Sequence, residues 1–260
     1  RRRNPTPPTR GDRLTWPIAP IRRAAKLGSG HTPSRQHPEY WADCTIPWLT
    51  LADVNKLRDG TRTVIDETEE MISPVGVANS AAVVHPAGTV ALSRTASVGF
   101  SCILGRDMAT SQDFATWTCG PLLHPRFLLY SLRGQPEQIR QRMIGSTHKT
   151  IYMPDIETLT TPLPALEIQR AIAAFLDAET ARIDALIWLR FCSRELHSER
   201  FESAVYAAVS SGLRPGVTTA PSGLQWVERI PAHWGTPAVS VNFELALGKM
   251  LNAESAAGPA

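Results

Sequence analysis

Residues 162–187 read PLPALEIQRAIAAFLDAETARIDALI, from Pro162 to Ile187. Pro162 and Pro164 fix their own φ and push their predecessors out of the helical region, so the chain arrives extended. From Ala165 to Ser211 there is neither Pro nor Gly, while Ala, Leu, Glu and Arg are abundant. That composition predicts one long helix. At ~1.5 Å per residue it would run roughly 65 to 70 Å, more than a domain of this size is wide.

Ile172, Leu176, Glu179, Ile183 and Leu186 follow alternating steps of four and three, the spacing that turns one seam toward a partner helix. Arg190, Arg194 and His197 interrupt the track, which resumes at Phe201, Ala204, Val205 and Ala208. A long core helix inside one globule is the alternative; the absence of internal caps favours a coiled-coil or bridging helix.

The same string closely resembles the central segment of the specificity (S) subunits of type I restriction-modification systems. One departure stands out: Ile168 occupies the position before Gln169, where the family usually carries an acidic residue. The resemblance implies a target-recognition domain that ends at the motif and a spacer helix that begins there. It implies double-stranded DNA as ligand, methyltransferase (M) and restriction/translocase (R) subunits as partners, and no catalysis or cofactor in this chain. The helix face expected to meet a partner subunit, or a second copy in a homodimer, comprises Gln169, Ile172, Phe175, Leu176, Glu179, Ile183 and Leu186.

Length and composition are those of an ordinary soluble chain: 260 residues, 43% hydrophobic and 20% charged. No apolar run is long enough to cross a membrane, and the Arg-Arg-Arg start followed by Pro-rich sequence is no signal peptide, so a cytoplasmic protein is expected. Cys44, Cys102, Cys119 and Cys192 form no CxxC pair and are expected to be reduced thiols, mostly buried. The net charge of +3, from 27 Lys plus Arg against 24 Asp plus Glu, does not by itself imply nucleic acid. Distribution has to carry that argument.

Residues 1–16 read as an irregular, Pro- and Arg-rich arm, and residues 17–161 as a mixed α/β (α+β) recognition domain. Ile21 to Ser34 contains Gly28 and Gly30 but lacks the third Gly of a dinucleotide loop, and Pro33 stands where a helix should begin. What remains is a basic, hydroxyl-rich turn in which Lys26, Ser29 and Thr32 offer donors to phosphate and the glycines allow close backbone approach. Gly30-His31-Thr32-Pro33 is similar to the Gly-x-Thr-Pro turn that opens S-subunit recognition domains; a well-made structural turn accounts for the same residues.

Val90 to Leu92 and Val98 to Leu104 read as strands around the polar turn Ser93-Arg94-Thr95-Ala96-Ser97. Arg94 can read guanine or clamp phosphate, and Ser93, Thr95 and Ser97 can bond phosphate or base edges. A solvent-facing hairpin explains them equally. Gln112, whose amide carries both donor and acceptor, is a candidate adenine reader. Pro121 to Ile144 reads as helix broken at Gly134 and Pro136. The loop Gly145 to Thr150 follows, with Thr147, His148 and Lys149 as further candidates and Lys149 with Arg142 as the phosphate contacts.

Gly212 and Pro215 end the helix, expected over residues 162–211. Ser222-Gly223-Leu224-Gln225-Trp226 and Ile230-Pro231-Ala232-His233-Trp234 resemble the segment that introduces a second recognition domain. Trp234 to Gly248 echoes Trp16 to Gly28, so residues 212–260 read as a linker and the start of a truncated repeat.

Enzyme readings find little support. Asn4-Pro5-Thr6-Pro7 is no adenine-methyltransferase motif, Gly248-Lys249 no P-loop, Ser97-Val98-Gly99 no nucleophile elbow, and the seven histidines include no HExxH. The competing class is a coiled-coil adaptor whose globule binds a protein or small ligand. Steep salt dependence of duplex binding would separate the two.

Overall fold

The computed structural model describes residues 16–146, 148–244 and 246. The arm before Trp16, Thr147 and most of residues 243–260, the end of the expected truncated repeat, lie outside them. The chain divides into two compact units between Ala185 and Leu186.

In the first unit, strands β1 (Ile18–Pro20), β2 (Ala25–Ser29), β3 (Ile46–Leu49), β4 (Val64–Ile65) and β5 (Glu70–Ile72) precede a short helix α1 (Pro74–Ala78). Ser73 caps α1, its hydroxyl accepting from Gly76 N, and Pro74 fills the first position, where the missing N–H costs nothing. Strands β6 (Val84–His85), β7 (Val90–Ser93), β8 (Ser101–Leu104), β9 (Met108–Thr110) and β10 (Phe114–Cys119) follow. Then come α2 (Pro125–Arg133), α3 (Pro136–Arg140), α4 (Met153–Glu157), β11 (Thr160–Pro162) and the long helix α5 (Leu166–Ser211).

Five strands form one sheet in the order β2-β10-β7-β8-β4, and four form another in the order β5-β3-β9-β6. The central strands of the first sheet are buried on both faces, so their alternation sorts side chains between two cores instead of between core and water. On β7, Val90 and Leu92 join a core under α2, α3 and α4, while Ala91 joins a second core shared with Leu49, Leu57 and Met108. Trp117 and Phe114 on β10 are divided the same way. Trp48 is buried in a third cluster with Trp41 packed against it, in line with the aromatic-rich sequence of this segment.

The expected helix over Pro121–Ile144 is realised as α2 and α3, separated where Gly134 and Pro136 stand; Pro121–His124 is a turn. Among the cysteines only Cys102 is buried, and the other three are half-buried, which corrects the expectation for most of them. Burial pushes the Cys102 and Cys119 thiols up to about 12, so both stay protonated.

The predicted long helix is present as 46 continuous residues. Its start is stapled to the beginning of the domain. β1 pairs antiparallel with β11, and Leu163 N donates to Pro17 O at 2.8 Å. The seam expected for a partner is spent partly on the chain's own globule. Gln169 is fully buried, its Nε2 donating to Leu122 O (2.9 Å) and Pro164 O (2.8 Å) and its Oε1 accepting from His124 N (2.8 Å). Ile172 packs on the domain core and Ala173 is buried. Asp177 accepts from Arg126 Nη1 at 2.8 Å and from Tyr130 Oη at 2.6 Å. Gln169 and Ile172 are therefore corrected from partner contacts to internal docking contacts. Leu176 and Glu179 are half-buried, whereas Phe175, Ile183 and Leu186 are exposed.

In the second unit, β12 (Thr219–Pro221) pairs antiparallel with β13 (Arg229–Pro231), and a single turn α6 covers Val239–Asn242. Gly212 sits at φ +75, the left-handed conformation with which glycine ends a helix.

Candidate nucleic-acid interface

Four segments distant in sequence are joined into one rim by hydrogen bonds. Thr32, in the turn after β2, donates its hydroxyl to Gln112 Oε1 at 2.6 Å, and His31 N donates to Thr110 O at 3.0 Å. The turn after β9 reaches the β7–β8 loop through Arg94 N, which donates to Asp113 O at 2.8 Å. That loop in turn holds the segment before α4: Ala96 N donates to Lys149 O (2.9 Å) and Ile151 N to Arg94 O (2.8 Å). Thr150 pairs with both Thr95 and Ile144.

Two backbone positions make this geometry possible. Gly145 has φ +112, and a Cβ there would lie 2.4 Å from His148 O, so only glycine fits the turn. Ala96 has φ +56, an uncommon conformation for a residue with a side chain, which costs strain and is held by the bond to Lys149 O. No residue type announces it in the sequence.

Gly30 also allows a close approach, but of the chain to itself: a Cβ there would overlap Thr110 O. The expectation that this glycine admits a ligand is corrected accordingly.

Of the candidate contacts, the rim gathers Ser29, Thr32, Arg94, Thr95, Ser97, Gln112, His148 and Lys149. His148, Lys149 and Gln112 are exposed, and Thr32, Arg94, Thr95 and Ser97 are half-exposed. Ser29 spends its hydroxyl on Phe114 O at 2.9 Å. Thr32 occupies one lone pair of the Gln112 oxygen and fixes the amide, which leaves the NH2 group as the readier donor toward a base edge.

Three candidates stand apart, and Thr147 lies outside the described residues. Ser93 is fully buried, its hydroxyl donating to Ser97 O and accepting from Phe100 N; it shapes the loop and cannot touch a ligand. Arg142 donates to Thr158 Oγ1 (3.1 Å) and Gln138 O (2.8 Å), which ties it to the ends of α3 and α4. Lys26 is exposed but lies three residues down β2 from Ser29, about 10 Å from the rim at ~3.3 Å per residue.

Arg94 has the most informative environment. It is half-buried, its Nε has no partner, and its guanidinium makes one long contact, Nη1 to Ile151 O at 3.4 Å. Among the described residues no carboxylate pairs with it. A cation partly withdrawn from water without a counter-charge is costly, and an anion arriving at the rim offsets that cost. The arrangement suits phosphate and base-edge contacts. Among the described residues no group of His, Cys, Asp or Glu side chains could hold a metal ion.

Comparison with known proteins gives the family and the fold. The family model for the type I restriction modification DNA specificity domain matches residues 16–186. The chain is 26% identical over 163 residues to the type I restriction enzyme MjaIX specificity subunit of Methanocaldococcus jannaschii, covering 62% of this chain and 37% of that protein. It is 24% identical over 185 residues to the EcoprrI specificity subunit of Escherichia coli, covering 66% of this chain and 43% of that protein. The chain thus spans less than half the length of either relative.

Among solved structures, a chain from a study of complex assembly in a type I R-M system superposes with TM-score 0.58 at 23% identity, covering 77% of this chain and 47% of that chain. The HsdS subunit from Thermoanaerobacter tengcongensis gives TM-score 0.55 at 20% identity, covering 77% and 46%. These two likenesses bear on the fold.

Proposed function

On the premise that this chain belongs to the type I restriction-modification DNA specificity family, its model matching residues 16–186 of 260, we propose that it selects a DNA sequence on behalf of catalytic partners. Residues 17–161 serve as a target-recognition domain, residues 162–211 as a spacer helix, and residues 212–260 as the beginning of a second recognition domain. The rim reads one half of a bipartite site in duplex DNA. Methylation and cleavage belong to methyltransferase and restriction subunits that assemble on the chain. Two copies paired through the outward face of α5 would supply two reading rims, one for each half-site.

The observation that carries this reading is Arg94: a half-buried guanidinium with no carboxylate partner among the described residues, in a loop joined by hydrogen bonds to Lys149 and to the Thr32–Gln112 pair. Contacts of this kind divide naturally. Lys149 and His148, exposed at the loop tip, suit phosphates, whereas Arg94 and Gln112 are held by neighbours and suit base edges. Lys149 adds affinity without sequence information.

The test is selection of duplexes from a random pool by the chain assembled with its cognate methyltransferase subunits. A single short consensus should emerge for each rim. Arg94→Ala should relax the consensus at one position, costing about 1–3 kcal/mol of discrimination there. Lys149→Ala should weaken binding to every duplex alike. Recovery of no consensus, with the complex intact, would overturn the reading.

A further inference from the structure

A groove runs along the free edge of the five-stranded sheet, beside β2, and ends at the rim. One end is a hollow of about 340 Å³ lined by Arg22, Arg23, Lys26, Thr118 and Leu122. The next stretch, about 400 Å³, is lined by Lys26, Gly28, Val84, His85, Thr116 and Thr118. Lys26 and Thr118 line both, so the two hollows are continuous. β2 is the terminal strand of its sheet, and Val84 and His85 of β6 wall the second stretch opposite it.

Its chemistry is one-sided. Arg22 and Arg23 end a single 3-10 turn, Ile21–Arg23, and Lys26 follows on β2; all three are exposed. Among the described residues none of the three takes part in an ion pair, although eight such pairs occur elsewhere. The chain as a whole carries only +3, so three unpaired cations within five residues are a local concentration. The floor adds the half-exposed Thr118 hydroxyl, with Thr116 buried beneath it. Thr118 Oγ1 lies 3.1 Å from Thr89 Oγ1, and Thr116 Oγ1 lies 3.5 Å from His85 Nε2. Gly28 keeps this stretch low: a Cβ there would lie 2.9 Å from Thr116 Oγ1.

We propose that this groove is a second phosphate-binding track, in which Arg22, Arg23 and Lys26 hold the sugar–phosphate backbone of the duplex beside the segment read at the rim. Charge complementarity selects the ligand, and Ser29, which lines the second stretch and belongs to the rim, fixes where it leads. The track supplies affinity and orientation and no sequence information, since it offers point charges and hydroxyls and faces no base edge. The proposal rests on the DNA-reading function above and extends the footprint by several phosphates along one strand.

The experiment measures binding of a fluorescent random-sequence duplex by the full chain, assembled with its cognate methyltransferase subunits, as salt is raised. Each phosphate left without its cation should lower the slope of log affinity against log salt by about 0.9. The triple substitution Arg22→Ala, Arg23→Ala, Lys26→Ala should therefore lower it by roughly 2 to 3 and weaken low-salt binding more than tenfold, with thermal stability unchanged because all three side chains are exposed. Arg22→Lys with Arg23→Lys, which keeps the charges, should retain the full slope.

An unchanged slope in the triple variant, alongside a reduced one in Lys149→Ala, sinks the track and leaves the reading rim standing. If the unsubstituted chain binds no duplex at any salt, the DNA reading itself fails, and the track with it. Poly-glutamate binding with the same affinity and salt dependence as DNA, abolished in the same triple variant, would assign the groove to an acidic protein partner and overturn the proposal.

Discussion

Ser93 and Arg94 are adjacent in one loop and have opposite fates. Ser93 closes β7, where both faces of the sheet are covered, so its hydroxyl turns inward and is consumed by Ser97 O and Phe100 N. Arg94 comes one residue later and faces the rim, half-buried and without a counter-charge among the described residues. Their residue types suggest the same role, and only the position of the strand end separates them. His85 gives a second test at this scale. Burial, reinforced by the Lys26 cation and opposed by a hydrogen bond with the Ser29 backbone, lowers its pKa below the ordinary 6.5. The folded protein thus holds His85 neutral where the unfolded chain would protonate. Its contribution to stability is complete above about pH 6.5 and is lost as pH falls through the window below that value. Urea midpoints measured from pH 7.5 down to 5 should decline, and the decline should be shallower in His85→Asn.

At the scale of elements, α5 is held by a polar clasp. Gln169 satisfies the His124 N–H and the Leu122 and Pro164 carbonyls together, and Asp177 receives Arg126 and Tyr130 two turns on. Gln169→Leu keeps the approximate volume but leaves a buried donor and two carbonyls unpaired. We expect a loss of about 2–4 kcal/mol, read as a lower urea midpoint with an unchanged m-value. Gln169→Glu should fare no better, since a carboxylate can accept from His124 N but cannot donate to two carbonyls. The periodicity of α5 was legible in the sequence; the identity of its partner was not. A step of four and three marks an apolar stripe and says nothing about whether another helix or the chain's own domain covers it. Here the first turns dock internally, and the stripe is free only from Phe175, Ile183 and Leu186 onward.

For the molecule as a whole, the pairing through α5 proposed above rests on helix residues that the chain itself leaves exposed. Ile183, Leu186, Ile187, Trp188, Leu189 and Phe191 are each about half or more exposed, and Trp188 stacks on Phe191 with ring centroids 6.0 Å apart. At ~3.6 residues per turn the consecutive residues Leu186 to Leu189 circle the helix, and apolar exposure of this extent marks an interaction surface. Ile183→Asp with Leu186→Asp should convert a self-associated chain into monomers by light scattering while leaving thermal unfolding of the first unit unchanged. Ile172→Asp should instead destabilise that unit, because Ile172 packs on its core.

The sequence by itself determined the long helix, the α/β character of the first unit, the β7–β8 hairpin with its basic loop, and the family. These follow from local causes: Pro and Gly placement, alternation of apolar residues, and a motif written in consecutive positions. Tertiary structure alone decided which polar residues meet. The rim unites positions from Thr32 to Lys149 through bonds between loops, and the edge groove lines up Arg22, Arg23 and Lys26 with Thr116, Thr118 and His85. Contacts between residues far apart in the chain depend on how strands are ordered in the sheets, and strand order leaves no mark on the spacing of residues along the sequence.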